Sequence, residues 1–258
     1  MNMRRSKTLE MLRAGKTVFS AKCNTADPRV VEIAAMMGIP CIWVDTEHTP
    51  NDYCATEMQI MAAKMYDTDV LVRIPRGSYS DYIRPLELDA SGIMVPHIMS
   101  VEDAQEVIRM TRFHPIGRRP VDGGNADAKY CMVPTHEYTK QANEQRFIVL
   151  QIEDPEAMEQ IEEIAALPGF DMLFFGPGDY SHAIGHPGEM NHPLVQEGFR
   201  KVAECAKRHG KFAGTVGGQA NAAERVAMGY QFLNIGADVL ALDAYFKDIA
   251  DFSANFGK

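Results

Sequence analysis

The chain has no apolar stretch long enough for a membrane span, no CxxC pair, no excess of basic residues, no internal repeat and no low-complexity tract. Each absence removes a class of protein. A bilayer helix needs about 20 largely apolar residues, so no membrane partner is expected. The basic N-terminus, MNMRRSKTLEMLRAGK, lacks the apolar core of a secretory signal. Cys23, Cys41, Cys54, Cys131 and Cys205 are odd in number and scattered, which argues against both a disulfide framework and a zinc cluster. A reducing, cytoplasmic setting fits. Acidic residues outnumber basic ones by 35 to 26, and a net charge of -9 repels phosphate backbones and anionic lipid. Nucleic acid is therefore not an expected partner. A small anionic substrate stays compatible, because a local arginine or metal overrides a weak global field.

What is present suits a folded chain. With 258 residues, 46% apolar and 24% charged, it can bury a large core without disordered tracts. Eight short β-rich runs recur: TVFSAK (17–22), CIWVD (41–45), VLVRI (70–74), GIMVP (92–96), FIVLQIE (147–153), DMLFFG (171–176), KFAGTV (211–216) and FLNIG (232–236). They are continuous rather than alternating, as expected of parallel strands buried on both faces. Between them, PRVVEIAAMM, YCATEMQIMAAKM, SVEDAQEVIRMTR, PEAMEQIEEIAAL, PLVQEGFRKVAECAKRH and NAAERVAMG carry apolar residues three and four apart. Ser100 with Asp103, and Asp27 with Pro28, read as helix starts. Strand then helix over this length predicts an α/β fold, a single-domain (β/α)8 TIM barrel spanning 1–258. A doubly wound sheet ranks behind it, since no GxGxxG follows the first strand. One long loop, 113–146, breaks the rhythm. It joins a helix to a strand, so it starts on the face opposite the expected active site, and it is read as an oligomer contact that reaches a neighbouring subunit's site.

Functional groups of such barrels sit at the C-terminal ends of strands. Asp45, Glu47 and His48 follow the second strand, Arg73 ends the third, Glu153 the fifth, and Asp179 follows the sixth after GPG. Glu153 and Asp179 come from adjacent strands, where two carboxylates repel unless a cation lies between them. With oxygen donors only, that cation is expected to be Mg²⁺ or Mn²⁺. The competing reading gives each acid a salt bridge or a helix cap, as Asp154 before Pro155 suggests. Arg73 inside LVRIP is costly without an anion, and its fork matches a carboxylate. Asp45 is placed to orient His48 for proton transfer. His97 is a weaker candidate; His114, His182 and His186 have no comparable support. GTVGGQ (214–219) leaves room for an anionic substrate tail.

In this order, WVDTEHTPND, LVRIP, MVPHI, RFHPIGRR, VLQIEDPEAMEQIEEI and LFFGPGDYSHAIGHPG resemble the HpcH/HpaI family of metal-dependent pyruvate aldolases, from about residue 8 to the C-terminus. The resemblance implies a (β/α)8 barrel that reversibly cleaves a 4-hydroxy-2-oxo acid to pyruvate and an aldehyde through a metal-stabilised pyruvate enolate. It implies metal ligation by Glu153 and Asp179, with Mg²⁺, Mn²⁺ or Co²⁺, and pyruvate binding by Arg73. It also implies proton transfer by His48 with Asp45, a lining of Gln151, Gly176, Pro177 and Gly178, and Glu47 just behind them. A homohexamer, a trimer of dimers that exchange their C-terminal helix, is implied as well. Departures from the family pattern are Pro120 after Arg119, acidic Asp122 and Asp127 beyond it, and Tyr180 after Asp179; they bear on the aldehyde half. Two other chemistries and one non-enzymatic role compete: a Schiff base on Lys22, a lyase acting on a coenzyme A thioester, and a dicarboxylate-binding barrel without activity.

Overall fold

The computed structural model describes residues 1–256. Eight strands run β1 Val18–Cys23, β2 Cys41–Asp45, β3 Asp69–Arg73, β4 Gly92–Val95, β5 Phe147–Ile152, β6 Met172–Phe175, β7 Phe212–Gly217 and β8 Phe232–Ala237. They close in sequence order, every neighbouring pair parallel, with β8 returning to β1. Helices α1 Lys7–Arg13, α2 Pro28–Met36, α3 Tyr53–Lys64, α4 Tyr79–Glu87, α5 Val101–Thr111 and α6 Thr135–Gln145 precede β5. Then come α7 Pro155–Glu159, α8 Ile161–Ala166, α9 Pro177–Ala183, α10 Pro193–Arg208, α11 Ala222–Ala227 and α12 Asp238–Asn255. The expected (β/α)8 barrel is thus present, each strand within a residue or two of its predicted place. Among the described residues no helix is long and apolar enough to cross a membrane.

Continuous apolar strands serve two cores. Outward residues such as Ile42, Val70, Ile93, Leu150 and Leu173 pack under the helices, while Trp43, Leu71, Met94, Val149, Met172, Phe174 and Phe232 fill the barrel. Trp43 meets Phe174 edge-on at 5.6 Å between ring centroids. Gly214 makes room for that layer, since a Cβ there would lie 2.7 Å from the Phe174 ring. Large and small side chains must alternate for a barrel interior to fill without strain.

The lower end is closed by α1. Its N-cap Ser6 accepts from Leu9 N, and the Ser6 hydroxyl, the Thr8 amide and Arg4 all donate to Asp69, a buried carboxylate starting β3. Asp89 beside it pairs with Lys64 at 2.6 Å and with the buried Arg146. The 113–146 segment lies at this end. It is ordered, contains the unpredicted helix α6, and buries its own apolar cluster of Phe113, Ala128, Val133, Tyr138 and Ala142 with Met3. Arg119 is buried in it, bound to Asp127 and Tyr138, so Asp127, one of the departures, lies away from this barrel's own mouth.

Helix α12 stands apart. None of its residues is buried, and Leu240, Tyr245, Phe246, Ile249 and Phe252 are exposed. An apolar groove of about 640 Å³ runs beside its first turn, over β1, β8 and α2, lined by Ala21, Val30, Ile33, Ala34, Ile235 and Leu240.

Removing one partner of a buried, multiply bonded carboxylate leaves its donors stranded. Asp69→Ala is therefore expected to lower stability by about 3–5 kcal/mol in urea unfolding; a loss under about 1 kcal/mol would mean α1 does not depend on this anchor.

Candidate active site

Strand register places the charged groups. A parallel strand alternates its side chains, so inward positions form layers up the barrel. Above the aromatic layer come Lys22, Asp45 and Arg73, with Asp45 and Arg73 partnered across β2 and β3. Asp45 is fully buried and saturated. Arg73 Nε and Nη2 reach its two oxygens at 3.1 and 2.6 Å, Lys22 Nζ lies 2.7 Å away, and the Glu47 amide donates at 3.1 Å. Burial alone would raise its carboxyl, but Arg73 and Lys22 outweigh it and hold the group at about 2.

That saturation corrects the proton-transfer pair. Asp45 does not reach His48. The turn after β2 folds back, with Asn51 and Thr49 bonding the Asp45 carbonyl, and the Glu47 amide closes an Asx-turn on the Asp45 carboxylate. Glu47 is thereby the acid beside His48, with Oε2 3.5 Å from Nε2. The same oxygen lies 3.1 Å from Arg73 Nε but off the N–H axis, so it stays unsatisfied though buried. His48 itself is 61% exposed at the rim. Arg73 Nη1 has no protein partner among the described residues, which leaves one face of the guanidinium for an anion.

Glu153 is the second centre. It is buried just past β5, where His97 N donates to Oε1 at 3.0 Å and Gln151 Nε2 donates to Oε2. Burial pushes its carboxyl up to about 7, and the negative charge of Asp179 adds to the rise against the pull of His97 and Arg73. Asp179 stands exposed in the first turn of α9. Gly176 fits closely against Glu153, because a Cβ there would collide with its carboxylate and with Gln151. Pro177 begins α9 and Gly178 faces solvent. Gln151 Oε1 is buried with no partner.

Sequence reasoning undervalued His97 and misplaced Asp154. Asp154 does not cap α7 with its side chain; its carboxylate takes the His97 Nδ1 proton bond at 3.0 Å. Burial opposes a charged His97, yet Asp154 and Glu153 together raise its affinity for a proton. Its position after β4, in phase with the other strand ends, was the available signal. His97 adopts φ 49°, a left-handed conformation uncommon outside glycine, which turns its amide towards Glu153.

Hard-cation donors therefore gather at the mouth: a buried carboxylate destabilised by burial, a second carboxylate acting on it, and an orphan amide oxygen. That set fits a divalent metal such as Mg²⁺ or Mn²⁺. A different group, Glu162, Cys205 and His209, gathers on the outer helices with ligand atoms within 4.8 Å of one another. Its atoms are already engaged. Arg208 and His209 bind Glu162, and the Cys205 thiol, pushed up to about 11 by burial, donates to Ile161 O.

A family model described as HpcH/HpaI aldolase/citrate lyase matches residues 19–243. The chain is 31% identical to a 5-keto-4-deoxy-D-glucarate aldolase of Klebsiella pneumoniae over 89% of each sequence. It is 33% identical to a hydroxypyruvate/pyruvate aldolase of Delftia acidovorans over 90% of this chain and 86% of that one. Among solved structures, an HpcH/HpaI aldolase from Desulfitobacterium hafniense superposes with a TM-score of 0.90 over 96% of both chains, at 32% identity.

The raised Glu153 carboxyl has a signed consequence. Below about 4.3 both folded and unfolded chains hold this proton; between there and about 7 only the folded chain does. Metal-free stability should therefore fall as pH rises through that window, and His97 adds a loss of the same sign as it deprotonates. Thermal melts at stepped pH check this. Glu153→Gln should flatten the slope, and Mn²⁺ should stabilise the native chain more at pH 8 than at pH 5.

Proposed function

The chain belongs to the HpcH/HpaI aldolase/citrate lyase family, and from that premise we propose a divalent-metal-assisted aldolase that reversibly splits a 4-hydroxy-2-oxo acid into pyruvate and an aldehyde. The observation that carries this reading is Glu153, a buried carboxylate raised to about 7, with Asp179 acting on it across the mouth from a part-free arginine. Relatives named as aldolases of keto-deoxy-glucarate and of hydroxypyruvate support the substrate class.

Glu153 and Asp179 would hold Mg²⁺, Mn²⁺ or Co²⁺, with Gln151 and the Gly176–Gly178 backbone beside them. Such an ion, when bound, supplies a Lewis acid for the charge that grows on the keto oxygen as the carbon–carbon bond breaks, worth several kcal/mol. Arg73 receives the carboxylate of the 2-oxo acid on its open Nη1 edge, and Asp45 keeps the guanidinium flat against that task. His48 takes the C4 hydroxyl proton during cleavage and returns it during synthesis. Glu47 rather than Asp45 supports its imidazolium. The remaining mouth residues position and exclude water.

We further propose that α12 docks on a second copy of this chain, as the dimer unit of a hexamer. Eighteen helical residues, about 27 Å, carry exposed leucine, tyrosine and phenylalanine with nothing in their own barrel to cover them. The groove over β1, β8 and α2 is apolar and lies where an eighth covering helix would otherwise sit.

Two measurements test these readings. In heavy water with Mn²⁺ the protein should exchange the methyl protons of pyruvate, with loss of exchange in EDTA or in Glu153→Gln, and His48→Ala should slow cleavage roughly 10²- to 10⁴-fold. Full turnover after complete metal depletion would defeat the mechanism, and no exchange with any divalent metal would favour a mere binding protein. Removing residues 243–258 should break the dimer unit and give a smaller assembly in sedimentation; an unchanged oligomer would reject the role of α12.

A further inference from the structure

Lys22 is a charged side chain that the mechanism above does not use. It leaves β1 beside Trp43 on β2, and its Nζ approaches the buried Asp45 carboxylate from the side opposite Arg73. Both cations lie within 2.7 Å of the same oxygen, Asp45 Oδ2. The Asp45 carboxylate thus joins the two cations at one side of the mouth. Both also stand over the Trp43 ring, Lys22 Nζ at 5.2 Å and the Arg73 guanidinium at 4.9 Å, which restricts where each can move.

The charge balance around Arg73 depends on this lysine. Asp45 and Glu47 contribute two carboxylates within reach of one guanidinium. Without Lys22 this end of the mouth would carry a net negative charge in a water-poor setting and would repel a 2-oxo acid. With it, the buried acids are matched. Arg73 Nη1 can then be given to the incoming carboxylate instead of being drawn onto its own neighbours.

The same contact argues against Lys22 as a nucleophile. An amine that attacks a ketone needs its lone pair free and aimed at the substrate, whereas this one is held 2.7 Å from a buried carboxylate.

Resting on the aldolase reading, we propose that Lys22 is a positioning residue for the 2-oxo acid, holding Asp45 so that Arg73 presents a free edge to the substrate carboxylate. It acts through Asp45 and Arg73 and takes no part in bond breaking. Its effect should fall on binding, not on the chemical step.

The test uses the full-length chain with saturating Mn²⁺, as wild type, Lys22→Met and Lys22→Arg. Calorimetric titration reports pyruvate binding, and methyl-proton exchange in heavy water reports KM and kcat. Lys22→Met should weaken pyruvate binding and raise KM by roughly tenfold or more with kcat changed by less than about threefold, and Lys22→Arg should bring binding back to within about threefold. Because Lys22 also borders the groove beside α12, sedimentation is run on all three, and the assembly should not change. The proposal is overturned if Lys22→Met binds pyruvate as the wild type does, if kcat falls while KM holds, if the arginine variant gives no rescue, or if assembly is lost. It is also overturned if borohydride with pyruvate traps Lys22, which would make it a Schiff-base residue, or if the wild type binds no pyruvate. A wild type that binds pyruvate without exchanging its protons would sink the aldolase reading alone, and Lys22 would then be judged by the binding constants.

Discussion

The ion pair between Asp45 and Arg73 organises the mouth of this barrel. Neighbouring strands bring the two side chains level, with Asp45 fully buried and Arg73 nearly so. A buried carboxylate with one cation would be a weak arrangement, because desolvation costs several kcal/mol per ion. Here three neighbouring groups saturate it. Lys22 comes from one side, Arg73 from the other, and the Glu47 amide arrives from the turn that follows. The result is a rigid cation whose orientation is set before any substrate arrives, and orientation set in advance is much of what a binding site can contribute.

Across the opening, Glu153 is placed on opposite terms. It too is buried, but its donors are an amide side chain and one backbone N–H, and the nearest charge acting against it is another carboxylate. One acid at the mouth is thus held far below its ordinary range and the other well above it. Two carboxylates pushed apart in this way are a usual sign of divided roles. Asp45 supports an arginine, and Glu153 waits for positive charge. Gly176 belongs to the same arrangement, since any side chain there would occupy the space of the Glu153 carboxylate.

The two ends of the barrel use charge differently. At the bottom, Arg4, Lys64, Arg146, Asp69 and Asp89 pair with one another and tie down α1, although the Nε atoms of Arg4 and Arg146 are buried without a hydrogen-bond partner. Arg119 and Asp127 pair likewise within the 113–146 segment, where Arg119 Nε is also left unbonded. At the top, Arg73 Nη1, Gln151 Oε1 and the exposed Asp179 remain uncommitted. The bottom pairs tie down α1 and the 113–146 segment, whereas the top groups lie where the strand ends open onto the mouth. Position at the C-terminal ends of the strands, and not the number of charges, separates a functional end from a structural one.

Strand order, the barrel and the set of rim residues were legible in the sequence, because period and phase are local properties: an apolar run buried on both faces reads as a parallel strand, and the charge at its end reads as facing the mouth. Helices α1, α4, α6 and α9 were not marked out, and α12 entered only through the family resemblance, since α4 carries an internal proline, α6 is mostly polar and α12 buries nothing against its own barrel. Pairing was beyond reach for a physical reason. Asp45, Glu47 and His48 lie within four positions of one another, and nothing in that spacing says that a strand twist and an Asx-turn send Asp45 to Arg73 and Lys22 while Glu47 goes to His48. Nor could the order of residues show that the Asp154 side chain turns from its helix to His97, whose left-handed backbone gives its amide to Glu153. Which residues surround the mouth followed from sequence alone; which of them touch was decided by closure of the sheet, because contacts between strands depend on register and twist that no single strand contains.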